Sequence, residues 1–97
     1  MRYSYQRVIT SPTARINLAD ESVYLRGSES QTVSIDGSKA GAASPGASFR
    51  LINDSDHEAQ FVPDAPRTVM GGVSLAIPAH TSVTLELAPG GNWVVVR

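Results

Sequence analysis

The sequence predicts a small all-β domain: a β-sandwich, jelly roll or barrel of about eight short antiparallel strands with no long helix. Three observations support this fold class. In most of the apolar runs, apolar and polar residues alternate, which is the period-two pattern of half-buried strands. Turn-forming residues interrupt these runs roughly every 8–12 residues, as in sandwiches and barrels. No stretch shows the spacing of three and four residues that a helix longer than one turn requires.

The chain has 97 residues, and we expect one β-domain over residues 13–97, preceded by an N-terminal arm over residues 1–12. A domain of this size buries only about 60–70% of the surface of its unfolded chain. The chain has no cysteine, so neither a disulfide nor a thiolate metal site can reinforce the small core. We therefore expect association with other copies to contribute to stability.

The charge balance argues against a broad nucleic-acid surface. Eight basic and nine acidic residues give a formal net charge of -1, whereas such a surface is clearly basic. No apolar run approaches the ~18–20 residues that span a membrane. The first residues, Met1 to Arg7, lack the hydrophobic segment of a secretory signal. We expect neither nucleic acid nor a membrane as a partner.

The N-terminal arm is polar and carries two of the three tyrosines, Tyr3 and Tyr5. Two interpretations are open for it: a loosely attached arm, or an arm that docks on a neighbouring subunit. Tyrosine suits the second interpretation because it buries a large area and keeps a polar tip in water. At the end of the arm, Val8 and Ile9 are compatible with an edge strand.

Three alternating runs follow the arm, at residues 14–18, 23–26 and 31–36. Each run is short and places aliphatic, mostly β-branched side chains on one face, as strands do. The small and nearly uncharged residues 37–46 then form the one low-complexity segment. We expect it to be a solvated loop, or a loop that orders against a partner.

The stretch from Ala47 to Val62 predicts a β-hairpin. Two alternating runs lie on either side of residues 53–56, which are turn formers that bond their own backbone. The only two phenylalanines of the chain, Phe49 and Phe61, fall in these runs. We therefore expect the core to form around this hairpin.

A second hairpin is predicted around Gly71-Gly72, because paired glycines tolerate the positive φ angles of tight turns. The flanking runs are residues 67–70 and 73–77. Residues 81–87 form the next predicted strand, between turns at residues 78–80 and 89–92. Its inward-facing residues are predicted to be Val83, Leu85 and Leu87.

The last strand is apolar on both faces. Trp93 and Val95 share one face, and Val94 and Val96 share the other. A strand of this kind is usually buried on both sides, so the second face is covered either by the domain itself or by another subunit. Val94 and Val96 are therefore candidate interface residues, together with the two tyrosines of the N-terminal arm.

Candidate chemistry is sparse. The segment Asp54 to Glu58 contains residue types that bind metals. It lacks the glycine and glutamate positions of an EF-hand loop, and we interpret it as a solvated turn. The two histidines, His57 and His80, have no motif relation to a serine, and no Gly-x-Ser-x-Gly elbow occurs. We expect no enzymatic activity, no metal and no cofactor.

Four segments resemble small β-domains of tailed-bacteriophage virion proteins, which occur in head decoration proteins and in tail or head fibres. The shared features are an apolar-x-Asn-x-Ser hairpin, a glycine turn, a small-x-x-Ser-Val-x-Leu strand and a terminal Gly-Gly-x-Trp. In this chain they lie at Phe49 to Ser55, Gly71 to Leu75, Ala79 to Leu85 and Gly90 to Val95. The resemblance begins after Ala47, so it covers about half of the chain.

The resemblance implies a homotrimer without catalytic activity that contacts the major capsid protein or another virion protein. A single β-domain without a sequence repeat suits a capsid decoration (cement) protein, located in the virion and assembled in the host cytoplasm. The absence of cysteine fits that reducing compartment. A tail or head fibre or a baseplate component is the alternative. From another class, a carbohydrate-binding module is an alternative, with Tyr24 as its main aromatic candidate.

Overall fold

The computed structural model describes residues 6–16, 22–35, 48–64 and 67–96. These residues contain ten strands and no helix, which confirms the predicted all-β class. The strands are β1 (Gln6–Ile9), β2 (Thr13–Ile16), β3 (Ser22–Leu25), β4 (Thr32–Ile35), β5 (Ser48–Asn53), β6 (Ala59–Phe61), β7 (Thr68–Val69), β8 (Leu75–Ile77), β9 (Thr81–Ala88) and β10 (Asn92–Val96).

The strands form two sheets, with the order β1-β3-β5-β9-β10-β7 in the larger and β2-β4-β6-β8 in the smaller. From β1 to β6 the chain alternates between the sheets, so that β1/β2, β3/β4 and β5/β6 form three stacked coils. Successive coils pair in parallel. The structure thus differs from the expectation of about eight antiparallel strands, because five of its eight strand pairings are parallel.

The predicted hairpin between Ala47 and Val62 is wrong, because β5 and β6 lie in different sheets. β5 pairs with β3 and β9, whereas β6 pairs with β4 and β8. Phe49 and Phe61 contact each other edge to face from these two strands, with ring centroids 5.7 Å apart. Bringing both rings into one core from opposite layers requires an arch between the sheets.

The tight turn near Gly71-Gly72 is present, but it is not followed by a hairpin. Val69 and Gly72 exchange backbone hydrogen bonds of 2.9 and 2.8 Å. Between them, Met70 and Gly71 have φ angles of 49° and 79°, the two positive values of a type I′ turn. Beyond the turn, β7 joins β10 in the larger sheet and β8 joins β6 in the smaller.

The core lies between the sheets and is centred on three aromatic rings. Trp93 lies 5.3 Å from Phe49 and 6.3 Å from Phe61, measured between ring centroids in edge-to-face geometry. The core was expected around a hairpin that carries both phenylalanines. Both phenylalanines do lie in the core, but on an arch between the sheets and not on a hairpin. Most side chains predicted to face inward are also buried: Ile16, Val23, Leu25, Val33, Ile35, Leu85 and Leu87.

Buried amide side chains shape two of the arches between the sheets. Nδ2 of Asn53 lies 2.7, 3.0 and 3.1 Å from the carbonyl oxygens of His57, Ile77 and Pro78. The hydroxyl of Ser55 donates to Asn53 Oδ1 at 2.7 Å. Asn53 therefore ties the β5–β6 arch to the end of β8. It donates to the buried carbonyl of Ile77, whereas the carbonyls of His57 and Pro78 also accept from the hydroxyls of Ser55 and Thr81.

Gln31 has a similar role in the arch between β3 and β4. Its Nε2 donates to the carbonyl oxygens of Ile9 and Ser11, both at 3.0 Å. Its Oε1 accepts from the backbone N–H of Gly27 at 2.9 Å. A Cβ at Gly27 would lie 2.8 Å from the Gln31 side chain, so glycine is required for this close approach. The amide thereby joins the second coil to the first.

Val8 and Ile9 lie on an edge strand, as their sequence indicated. β1 is the outermost strand of the larger sheet, and Ile9 is buried. Residues 6–12 of the expected arm therefore belong to the first coil. Tyr3, Tyr5 and the low-complexity residues 37–46 lie outside the described residues.

Candidate partner interface

The segment Asp54 to Glu58 forms the exposed outer part of the β5–β6 arch. Asp54 accepts a hydrogen bond from Arg26 Nε at 2.9 Å, and Asp56 Oδ1 lies 2.8 Å from His80 Nε2. Among the residues that the structure describes, no three histidine, aspartate or glutamate side chains are grouped as a metal site requires. The acidic side chains of this arch thus form local pairs on the surface.

Removal of divalent metals tests this interpretation. We expect an excess of chelator to leave the melting temperature unchanged. A bound metal would stabilise the folded state by mass action, so its removal would lower the melting temperature. The measurement is a thermal melt followed by circular dichroism, with and without EDTA. A decrease of several degrees that is restored by added calcium or zinc would show that the arch holds a metal.

The last strand has an incomplete edge. Only the first two residues of β10 pair with β7, so residues 94–96 extend past the end of that strand. The backbone N–H of Val95 instead points to the sulfur of Met70, at 3.3 Å. A thioether is a weak hydrogen-bond acceptor. The edge is therefore covered by a side chain where a neighbouring strand would otherwise pair.

Apolar residues are exposed on the last strand and on the turn that follows β7. Val96 is 38% exposed, Met70 is 57% exposed and Val73 is 79% exposed, while Val94 is half-buried. We refer to these four residues and Val95 as the β10 edge. They comprise three of the four large exposed hydrophobic residues among the described parts of the chain.

Apart from the contact with Met70, the described residues give the β10 edge no charge or proline to protect it. Soluble proteins commonly place charges, proline or bulges on an exposed edge, because its unpaired backbone groups are a template for another chain. The strand Asn92–Val96 contains no charge and no proline. The nearest charged position across the sheet is Glu86, which lies opposite Val94 on β9. The edge is therefore chemically suited to a protein partner.

The structure brings together only part of the predicted interface. Val94 and Val96 lie on the outward-facing side of β10, as expected for alternate positions. Met70 and Val73 were not predicted as interface residues. The available signal was the apolar Val-Met-Gly-Gly-Val sequence at residues 69–73, because a type I′ turn at Met70 and Gly71 exposes the side chains around it.

Tyr24 lies on the outer face of the larger sheet, in one row with Val8 and Ile52. The guanidinium carbon of Arg26 lies over its ring, 5.4 Å from the centroid, and Arg26 also bonds Asp54. This cation–π contact occupies one face of the ring. Tyr24 is half-buried and offers less area for stacking a sugar than a free surface aromatic does.

No protein-family model matches the chain, and a search of curated proteins finds no match either. In the part of the chain that the structure describes, there is no helix of the length and apolar character needed to cross a membrane.

Proposed function

We propose that this chain is a non-enzymatic structural protein of a tailed-bacteriophage virion. Specifically, it is a capsid decoration (cement) protein that binds and stabilises the lattice of the major capsid protein. The observation that supports a structural role is the β10 edge, where exposed apolar residues lie beside an incompletely paired strand that carries no charge. Such an edge is a template for pairing with another chain. The virion as the location, and the capsid lattice as the partner, come from the sequence resemblance in the second half of the chain.

The same edge supports self-association as a homotrimer. Fully burying a valine side chain contributes up to about 1.5–3 kcal/mol, and less where the side chain is already partly covered. Val94, Val96 and Met70 together therefore offer several kcal/mol to a subunit contact. A domain of this length without disulfides has a small core, so such a contact also adds to its stability. The number of three subunits comes from the resemblance.

A fibre or baseplate component is the alternative, and the stacked coils favour it. Parallel coils that stack on one another build elongated, quasi-one-dimensional structures. In this chain, however, β9 and β8 pair antiparallel with β5 and β6 of the third coil. These strands close the stack on that side. A closed stack suits a subunit that binds on a lattice better than it suits a repeating shaft.

The double substitution Val94→Asp with Val96→Asp tests the interface. We expect the wild-type protein to have about three times the chain mass of 10.3 kDa in light scattering, and the variant to have the mass of one chain. The variant should also lose binding to capsids that lack the protein, measured by co-sedimentation. Introducing charges into an apolar contact leaves them desolvated without partners, and a carboxylate in place of Val94 would also face Glu86 across the sheet.

The matched control is Val8→Asp, which changes a 54% exposed valine on the opposite edge of the same sheet. Its mass and capsid binding should equal those of the wild type. A wild-type mass of 10.3 kDa that does not change with concentration would contradict a free trimer. Loss of the β-sheet signal in the double variant would show that Val94 and Val96 are covered within the domain itself.

A further inference from the structure

Among the residues that the structure describes, the first coil leaves one end of the stack open to strand addition. β1 and β2 are the outermost strands of their sheets at this end. The carbonyl of Ile9 accepts from Arg26, and that of Pro12 accepts from Thr32, both toward the second coil. In an extended strand the backbone groups of successive residues point to opposite sides. The backbone groups of Val8 and of residues 13 and 15 therefore point away from the stack.

Arg7 lies at an inward position of this end coil. It is in register with Val23 on β3, which in turn pairs with Leu51 on β5. Val23 and Leu51 are fully buried, so a charged residue takes the position that apolar core residues occupy in the next two coils. Nη1 of Arg7 crosses from the larger sheet to the smaller and donates to the carbonyl oxygen of Arg15 at 3.0 Å.

We propose that Arg7 closes this end of the stack against addition of β-strands from a second copy of the chain. The Arg15 carbonyl is one of the outward acceptors that an added strand would use, and the guanidinium already occupies it. Stacking another coil on this end would also enclose the guanidinium between two layers. Removing a charged group from water is costly even where it keeps hydrogen bonds. Inward-pointing charges on edge strands are one of the ways in which proteins prevent edge-to-edge association.

A second copy is the occupant that fits this end. A two-fold axis perpendicular to both sheets would place β1 beside β1 and β2 beside β2 of the partner, each pair antiparallel. Both edges would then pair in a single isologous contact. Val8 is 54% exposed on the outer side of this edge and adds apolar area to the contact. The end is thus self-complementary in its backbone groups, and Arg7 places a charge within the contact.

The experiment is the substitution Arg7→Met, which keeps an unbranched, flexible stem and removes the guanidinium. We expect a particle with twice the wild-type mass at equal concentration, whether the wild type is a monomer or a trimer. Arg7→Lys retains a charged donor and should keep the wild-type mass. Arg7→Met combined with Val8→Pro should return to the wild-type mass, because proline removes an outward N–H that the β1–β3 ladder does not use.

Several outcomes would overturn the proposal. Arg7→Met with the wild-type mass at the highest soluble concentration would show that the charge does not prevent association. A doubled mass that persists after adding Val8→Pro would place the contact elsewhere. If Arg7→Met loses its β-sheet signal, Arg7→Leu is measured instead, and unfolding of both variants would mean that Arg7 supports the coil itself. None of these results depends on the β10 edge or on a role in a virion.

Discussion

Replacing Phe61 by alanine is expected to lower the free energy of unfolding by about 3–5 kcal/mol. Phe61 is fully buried, and its ring contacts Phe49 and Trp93 edge to face. The substitution removes the transfer free energy of the ring and leaves a cavity between the sheets. Hydrogen-bonded ladders hold both sheets, so they can close the cavity only in part. Domains of this size are stable by about 5–15 kcal/mol in total, so the loss is a large fraction.

Urea unfolding followed by far-ultraviolet circular dichroism measures this loss, at one protein concentration because association would shift the midpoint. The control is Val73→Ala, since a 79% exposed side chain outside the core should change stability by no more than about 0.5 kcal/mol. Equal losses in the two variants would contradict a core centred on the three aromatic rings.

Asn53→Ala is expected to cost about 2–4 kcal/mol, although it removes only a small polar side chain. Asn53 is fully buried. Its amide nitrogen lies within hydrogen-bond distance of the carbonyl oxygens of His57, Ile77 and Pro78. Without it, the buried carbonyl of Ile77 loses this donor, and leaving a buried acceptor unsatisfied costs about 1–3 kcal/mol. The carbonyls of His57 and Pro78 keep the hydroxyls of Ser55 and Thr81 as donors. The arch between the sheets also loses its tie to the end of β8.

A second variant at position 53 separates hydrogen bonding from packing, and a variant at position 92 is the control. Asn53→Asp keeps the shape of the side chain and replaces the donor by an acceptor, so at neutral pH it should destabilise at least as much as alanine. Asn92→Ala is the matched control at a half-buried site, where the side-chain carbonyl accepts from Thr68 and Gly71. We expect it to cost about 1 kcal/mol. An Asn53→Asp variant as stable as the wild type would contradict the assigned donor role.

Only part of the β10 edge could be predicted from the sequence. Val94 and Val96 could be named as interface candidates, because a strand that is apolar on both faces is recognisable from residue order alone. For Met70 and Val73 the sequence indicates only apolar residues at a tight turn, which does not identify them as interface candidates. Their exposure depends on the short length of β7 and on the passage of the chain into the smaller sheet after Gly72. Both features are decided by strand pairing between distant segments.

The inward position of Arg7 could also not be predicted from the sequence. In an alternating strand, a charged residue beside apolar neighbours predicts an outward position. The register with Val23 and Leu51 instead directs it into the end of the coil. That direction is tolerated because β1 is an outermost strand and the Arg15 carbonyl supplies an acceptor.

The sequence by itself determined the all-β class and the buried face of most strands, because alternation is a local property of an extended chain. Alternation correctly predicted the burial of pairs such as Val23 with Leu25 and Leu85 with Leu87. The tertiary structure decided which strands pair and in which direction. Alternation around a polar turn is the same for a hairpin and for an arch between sheets. In the segment from β5 to β6, packing of both phenylalanines into one core and the hydrogen bonds of Asn53 select the arch.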